Sequence, residues 1–105
     1  MTTTLTTLSL PDLEEGSTLL IECSSGPILL CKVGGELRAV DGICPHQEMT
    51  LEGSRIRRGM LICPHHGGRF DLDDGRSMSP LTKKGLKLLD VKMIDDQQIE
   101  IGSRD

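Results

Sequence analysis

Two of the four cysteines and all three histidines fall in two short stretches, Cys44-Pro45-His46 and Cys63-Pro64-His65-His66-Gly67-Gly68, with sixteen residues between His46 and Cys63. Soft thiolates and imidazoles delivered in pairs from two loops form a metal-ligand set that suits a zinc ion or an iron-sulfur centre, and ligand preference alone admits both. Pro45 and Pro64 preset the backbone after each cysteine, while Gly67 and Gly68 let the chain approach closely. Backbone N–H groups of such loops can also point inward at sulfur and offset the negative charge held there. The order of ligands weighs against a common zinc finger, which sets two cysteines together and then two histidines on a helix. Here each loop offers one cysteine and at least one histidine, with no helical pattern after them, which suits a two-iron centre with both cysteines on one iron and two histidines on the other. A zinc-stabilised interaction module without redox activity is the alternative.

The elements that hold these loops must come from one small domain, because 105 residues support a single hydrophobic core and no separate catalytic unit. One Phe and no Trp or Tyr leave that core almost wholly aliphatic, so a centre tying distant loops together would add stability as well as chemistry. The net charge of −4 is unevenly spread. Residues 1–43 carry two bases against six acids, 44–70 four against two, and 71–105 six against eight. An acidic chain without a long basic run or an aromatic platform is a poor nucleic-acid binder. The N-terminus lacks the basic start and apolar run of a secretory signal, and no stretch approaches the ~18 apolar residues of a membrane span. A cytoplasmic monomer that binds no membrane is expected, and there metal ligation accounts for the cysteines better than disulfides do.

Short strand-like segments fill the rest. A short first strand is expected within residues 4–10, ended by Pro11-Asp12; Thr18–Cys23 and Ile28–Val33 form a hairpin across Ser24-Ser25-Gly26-Pro27. Gly34-Gly35 turns the chain into Glu36–Val40, completing an antiparallel meander whose edge leads to Cys44. Arg55-Ile56-Arg57 and Met60-Leu61-Ile62 read as two strands of an insert, Asp73-Asp74-Gly75 as a turn, and 86–94 and 98–101 as closing strands around Asp95-Asp96-Gln97. No window sustains a helical period, so the chain is all-β.

Cys44-Pro45-His46 and Cys63-Pro64-His65-His66-Gly67, with Phe70-Asp71 and Asp74-Gly75 after them, resemble the Rieske 2Fe-2S family, whose pattern is Cys-x-His and Cys-x-x-His. The strand count, turn positions and length are similar to free-standing Rieske ferredoxins. The resemblance implies a Rieske-like antiparallel β-sandwich over 1–105, with a small cluster-binding subdomain, about 43–71, formed by two loops. It implies one 2Fe-2S cluster per chain, with Cys44 and Cys63 on the inner iron and His46 and His66 on the outer one. It also implies one-electron carriage from a flavoprotein ferredoxin reductase to the terminal oxygenase of an aromatic-ring dioxygenase or related system. The small subunit of an assimilatory nitrite reductase is the alternative within the resemblance, but those subunits commonly lack the full ligand set. The high-potential respiratory branch adds a disulfide and sulfur-bonding hydroxyls to its loops. Met49 and its neighbours, His65, Gly68 and Phe70 supply neither, so the potential should sit toward the low end of the Rieske span, roughly −150 mV.

Two further limits concern what this chain does by itself. With His46 and His66 used, His65 alone remains, too few for the two-histidine, one-carboxylate iron site of oxygen activation. No Gly-x-Gly-x-x-Gly turn follows a strand, so no nucleotide cofactor is held in that manner. His65 is read as packed or exposed, Cys23 and Cys31 as small strand hydrophobes rather than a disulfide, and Phe70 as an anchor beneath the second loop. Glu48 and Glu52 are surface residues. Arg55, Arg57, Arg58 and Arg69 are either solvated charge or a docking patch.

Overall fold

Aliphatic and β-branched runs punctuated by glycine turns favour pleated strands. Nine form in the computed structural model, which describes residues 3–45, 49–64, 67–78 and 85–103. They are β1 (Thr3–Ser9), β2 (Thr18–Cys23), β3 (Gly26–Val33), β4 (Glu36–Asp41), β5 (Arg55–Arg57), β6 (Met60–Ile62), β7 (Arg69–Asp71), β8 (Leu88–Met93) and β9 (Gln98–Ser103). Six make one sheet in the order β1-β9-β8-β4-β3-β2, and β5-β6-β7 make a second, with every pair antiparallel. The expected all-β class holds. Among the described residues no helix is long and apolar enough to cross a membrane.

Strand β3 shows how the layers are arranged. Ile28, Leu29, Leu30 and Cys31 are all buried, because successive side chains enter two different cores. Ile28 and Leu30 join Ala39, Leu89, Ile99 and Ile101, with Leu5 and Leu8 packed alongside. Residues from both ends of the six-stranded sheet thus share one aliphatic core, and the sheet is curled on itself. Leu29 and Cys31 face the other way and join Val40, Leu61, Phe70 and Leu72, so this outer surface of the sheet carries the smaller one.

The hairpin between β2 and β3 is tighter than expected. Cys23 pairs with Gly26 and Glu22 with Pro27, leaving Ser24-Ser25 alone as the loop. Pro27 is accommodated because it lies at the end of β3, where its carbonyl accepts from the Gly42 N–H at 2.9 Å. The first strand, expected to be short, runs seven residues, since it ladders along β9 from Ser9↔Gln98 to Thr3↔Ser103. Strand β4 is not the edge that the meander suggested. It pairs with β3 on one side and with β8 on the other, through Ala39↔Leu89 and Val40↔Leu88. The chain therefore leaves the large sheet at Asp41, builds the small sheet, and re-enters beside its point of departure.

Cys31 sits opposite Thr18, while Cys23 sits opposite Gly26, and the two side chains belong to different cores. None of the four cysteines forms a disulfide. Burial pushes the Cys31 thiol up to about 11 from 9.0, with the Arg38 charge opposing part of the shift. In the unfolded chain this thiol ionises at lower pH than in the fold. Its contribution to stability is complete below pH 9.0 and is lost as the pH rises toward about 11. Urea unfolding should lose on the order of 2 kcal/mol across that window, and Cys31→Ala should remove this part of the alkaline slope.

Candidate metal centre

The first loop leaves β4 through Gly42, which crosses Pro27 so closely that a Cβ there would lie 2.8 Å from both the carbonyl carbon and oxygen of Pro27. Only glycine fits this crossing. Beyond it the chain forms a short antiparallel stem. The Leu51 N–H donates to the Gly42 carbonyl at 2.8 Å, Ile43 bridges Thr50, and the Cys44 N–H donates to the Met49 carbonyl at 2.8 Å. The second loop is the tip of the β6–β7 hairpin. Its ladder runs Met60↔Asp71, Leu61↔Phe70 and Ile62↔Arg69, and the Cys63 N–H then donates to the Gly68 carbonyl at 2.8 Å.

The two stems end alike. Each cysteine is the last residue of its ascending arm, with its N–H bonded to the carbonyl five residues on. Four residues of sequence separate the bonded pair in each case, 45–48 and 64–67. Only Gly67 of the two loop glycines needs its freedom, with φ 72 and its N–H on the Cys63 carbonyl at 3.1 Å. A Cβ on Gly68 would make ordinary contacts, 3.8 Å to Phe70 and 4.0 Å to Cys63.

Cys44 is 0% and Cys63 2% exposed, and both belong to the apolar cluster of Leu29, Leu51, Leu61 and Phe70. Phe70, the single aromatic, is fully buried there, as expected of an anchor beneath the second loop. A bare thiolate among such neighbours is costly, whereas a thiolate bound to a metal ion is neutralised by it, so this donor environment fits a metal-sulfur centre. His46, His65 and His66 lie outside the described residues. Among the described residues no three His, Cys, Asp or Glu side chains gather as a metal site.

Two contacts tie this unit to the large sheet, and neither was legible beforehand. Thr18 Oγ1 on β2 donates to the Ser54 carbonyl at 3.2 Å, and Ser54 Oγ donates to the Leu51 carbonyl at 2.6 Å. Arg38 Nη1 on β4 donates to the Leu72 carbonyl at 3.0 Å and meets Asp73 Oδ1 at 3.1 Å. An arginine in an alternating strand reads as solvent-facing, so its sequence position carries no signal of this strap.

The turn at 72–75 locks the far end of β7. Asp71 Oδ1 accepts from the Asp73 N–H at 2.8 Å, Asp74 Oδ1 from the Arg76 N–H at 2.8 Å, and the Gly75 N–H donates to the Asp71 carbonyl at 2.7 Å. The Leu86 N–H then donates to the Gly75 carbonyl at 2.7 Å, which pins the returning chain to this turn and delays β8 to Leu88.

The β5–β6 turn carries Arg58 at φ 52 followed by Gly59 at φ 76, left-handed conformations in which a side chain is disfavoured. Arg58→Gly should raise stability by about 1 kcal/mol in chemical unfolding, because it removes that penalty. No gain would mean that the arginine makes compensating contacts.

A family model described as the Rieske [2Fe-2S] domain matches residues 5–92. The ferredoxin component of the alkene monooxygenase system of Xanthobacter autotrophicus is 37% identical over 70 residues, covering 66% of this chain and 57% of that protein. The chain thus spans little more than half the length of that relative. The ferredoxin component of the naphthalene 1,2-dioxygenase/salicylate 5-hydroxylase systems of a Ralstonia species is 33% identical over 75 residues, 70% of this chain and 72% of that one. Among solved structures, the ferredoxin of carbazole 1,9a-dioxygenase from Nocardioides aromaticivorans superposes with a TM-score of 0.81 over 97% of this chain and 99% of that one. At 21% identity this last likeness concerns the fold alone.

Proposed function

Because the chain belongs to the Rieske [2Fe-2S] domain family, whose cofactor is one 2Fe-2S cluster, we propose that it is a one-electron carrier serving a multicomponent oxygenase. The cluster when bound supplies a centre that cycles between two states one electron apart. Cys44 and Cys63 would hold the inner iron, and His46 and His66 the outer one, within a cluster-binding subdomain of about residues 43–71. The observation that carries this reading is the pair of like closures, Cys44 to Met49 and Cys63 to Gly68, each with a buried cysteine at its base and followed in sequence by histidine.

The chain's own residues do three things in this role. The stems at 42–51 and 60–71 end on two buried cysteines, the apolar cluster excludes water from the thiolate side, and the histidines that follow each cysteine would meet a partner. Neutral imidazoles in place of two thiolates raise the potential above that of all-cysteine clusters, and loops without a disulfide or sulfur-bonding hydroxyls keep it low for the family, roughly −150 mV. The relatives named above are ferredoxin components of oxygenase systems. By extension the electron donor is a flavoprotein reductase, the acceptor a terminal oxygenase acting on an aromatic ring or similar hydrocarbon, and the setting the cytoplasm, with the carrier a monomer.

The test is direct. Purified protein should be red-brown, bleach with dithionite, recolour in air, and pass its electron to an oxygenase of this class. Reversible bleaching without transfer to any such oxygenase would overturn the assignment of partner, and a colourless protein with one zinc would overturn the carrier itself.

A further inference from the structure

The small sheet has two unlike faces. Ile56, Leu61 and Phe70 turn inward to the cysteine-bearing core. The residues alternating with them turn outward, and the register aligns them: Arg55 lies opposite Ile62, which lies opposite Arg69, while Arg57 lies opposite Met60, which lies opposite Asp71, a carboxylate that accepts from the Asp73 N–H. Arg57, Arg58, Met60, Ile62 and Arg69 line a shallow groove of about 330 Å³. All four arginines are exposed, and among the described residues none of them makes an ion pair. They are every Lys and Arg between residues 44 and 70, in a chain whose remaining segments are net acidic. The Ile62↔Arg69 rung is the one immediately before the Cys63–Gly68 closure, so the basic face runs up to the second tip.

We propose that the outer face of β5-β6-β7 is the docking surface for a redox partner protein whose matching surface is acidic. The proposal rests on the electron-carrier reading and deepens it by naming where and by what chemistry the partner is recognised. Exposed guanidiniums around an apolar strip of Met60 and Ile62 match the composition of protein interfaces, where Arg and Met are enriched. A polyphosphate partner is disfavoured by the acidic remainder of the chain and by the lack of an aromatic residue for bases to stack on. An acidic partner surface would be steered to this face from a distance and would settle beside the tip through which the electron leaves.

The test uses dithionite-reduced, cluster-loaded protein and two haem proteins of opposite charge as acceptors, the acidic cytochrome b5 and the basic cytochrome c. At low ionic strength the double variant Arg57→Gln/Arg69→Gln should reduce cytochrome b5 about 10-fold more slowly than the parent, and the deficit should close as salt is raised. Reduction of cytochrome c should not be slowed. Equal effects on both acceptors, or none on cytochrome b5, would overturn the docking surface. So would tight binding of a labelled single-stranded oligonucleotide through the same arginines with cytochrome b5 reduction untouched. A protein that takes up no electron from dithionite fails earlier, and overturns the carrier reading together with this proposal.

Discussion

Cys44→Ser and Cys63→Ser should each yield a colourless protein carrying on the order of tenfold less iron than the parent, measured as iron and acid-labile sulfide per chain. Serine keeps the size of the side chain but offers a hard, weakly acidic hydroxyl in place of a soft thiolate. It also leaves a polar group in a cluster lined by Leu29, Leu51, Leu61 and Phe70. Cys31 is the internal control, since it shares that cluster yet lies on β3 with its Sγ 3.6 Å from the Arg38 carbonyl, so Cys31→Ala should keep the colour.

The histidines divide more finely. By position within the matched tips, His65 is the counterpart of His46, whereas the family pattern assigns His66. His66→Ala should abolish the cluster and His65→Ala retain it. The reverse result would show that tip geometry, rather than the family spacing, selects the ligand.

Gly75→Ala should cost about 3 kcal/mol or more in chemical unfolding of the cluster-loaded protein. A Cβ on Gly75 would collide with the Leu86 carbonyl oxygen and press on Leu88 at 3.3 Å, and φ of 79 adds backbone strain. Leu86 cannot withdraw without breaking its bond to the Gly75 carbonyl, which anchors the chain as it returns to β8. Gly85 meets the same crossing from the other side, its Cβ position lying 2.5 Å from the Gly75 carbonyl oxygen. Gly53→Ala separates the two causes, because φ there is 87 but nothing lies within 4 Å of the new Cβ. It should cost only about 1 kcal/mol. Equal losses at the two positions would show that dihedral strain alone accounts for the effect.

The candidate ligands could be named from the sequence because their chemistry is local. Cysteine and histidine types, their offsets, and the prolines and glycines beside them lie within six residues of one another in each loop. Ligand preference and turn chemistry act over that distance. The strands Arg55–Arg57 and Met60–Ile62 were legible for the same reason, bracketed by Gly53 and Gly59. Phe70, the one aromatic residue of an aliphatic chain, declares itself an anchor by composition alone, and it is fully buried.

What only the tertiary structure decided depends on residues far apart in the chain. The closure of β4 by β8 and of β1 by β9 follows from burying both faces of β3, and no local pattern states which distant strand completes a sheet. The Arg38 strap, the Gly42–Pro27 crossing and the Gly75–Leu86 crossing exist only once those pairings bring the segments together. The burial of Cys44 and Cys63 likewise comes from two stems of different origin, one an irregular extension of β4 and the other a regular hairpin. The sequence by itself determined which side chains are chemically suited to bind a cluster, since that follows from residue type. The burial of both cysteines in one apolar cluster and the exposed basic face beside them were settled by packing, because both depend on which surfaces the folded sheets turn toward each other.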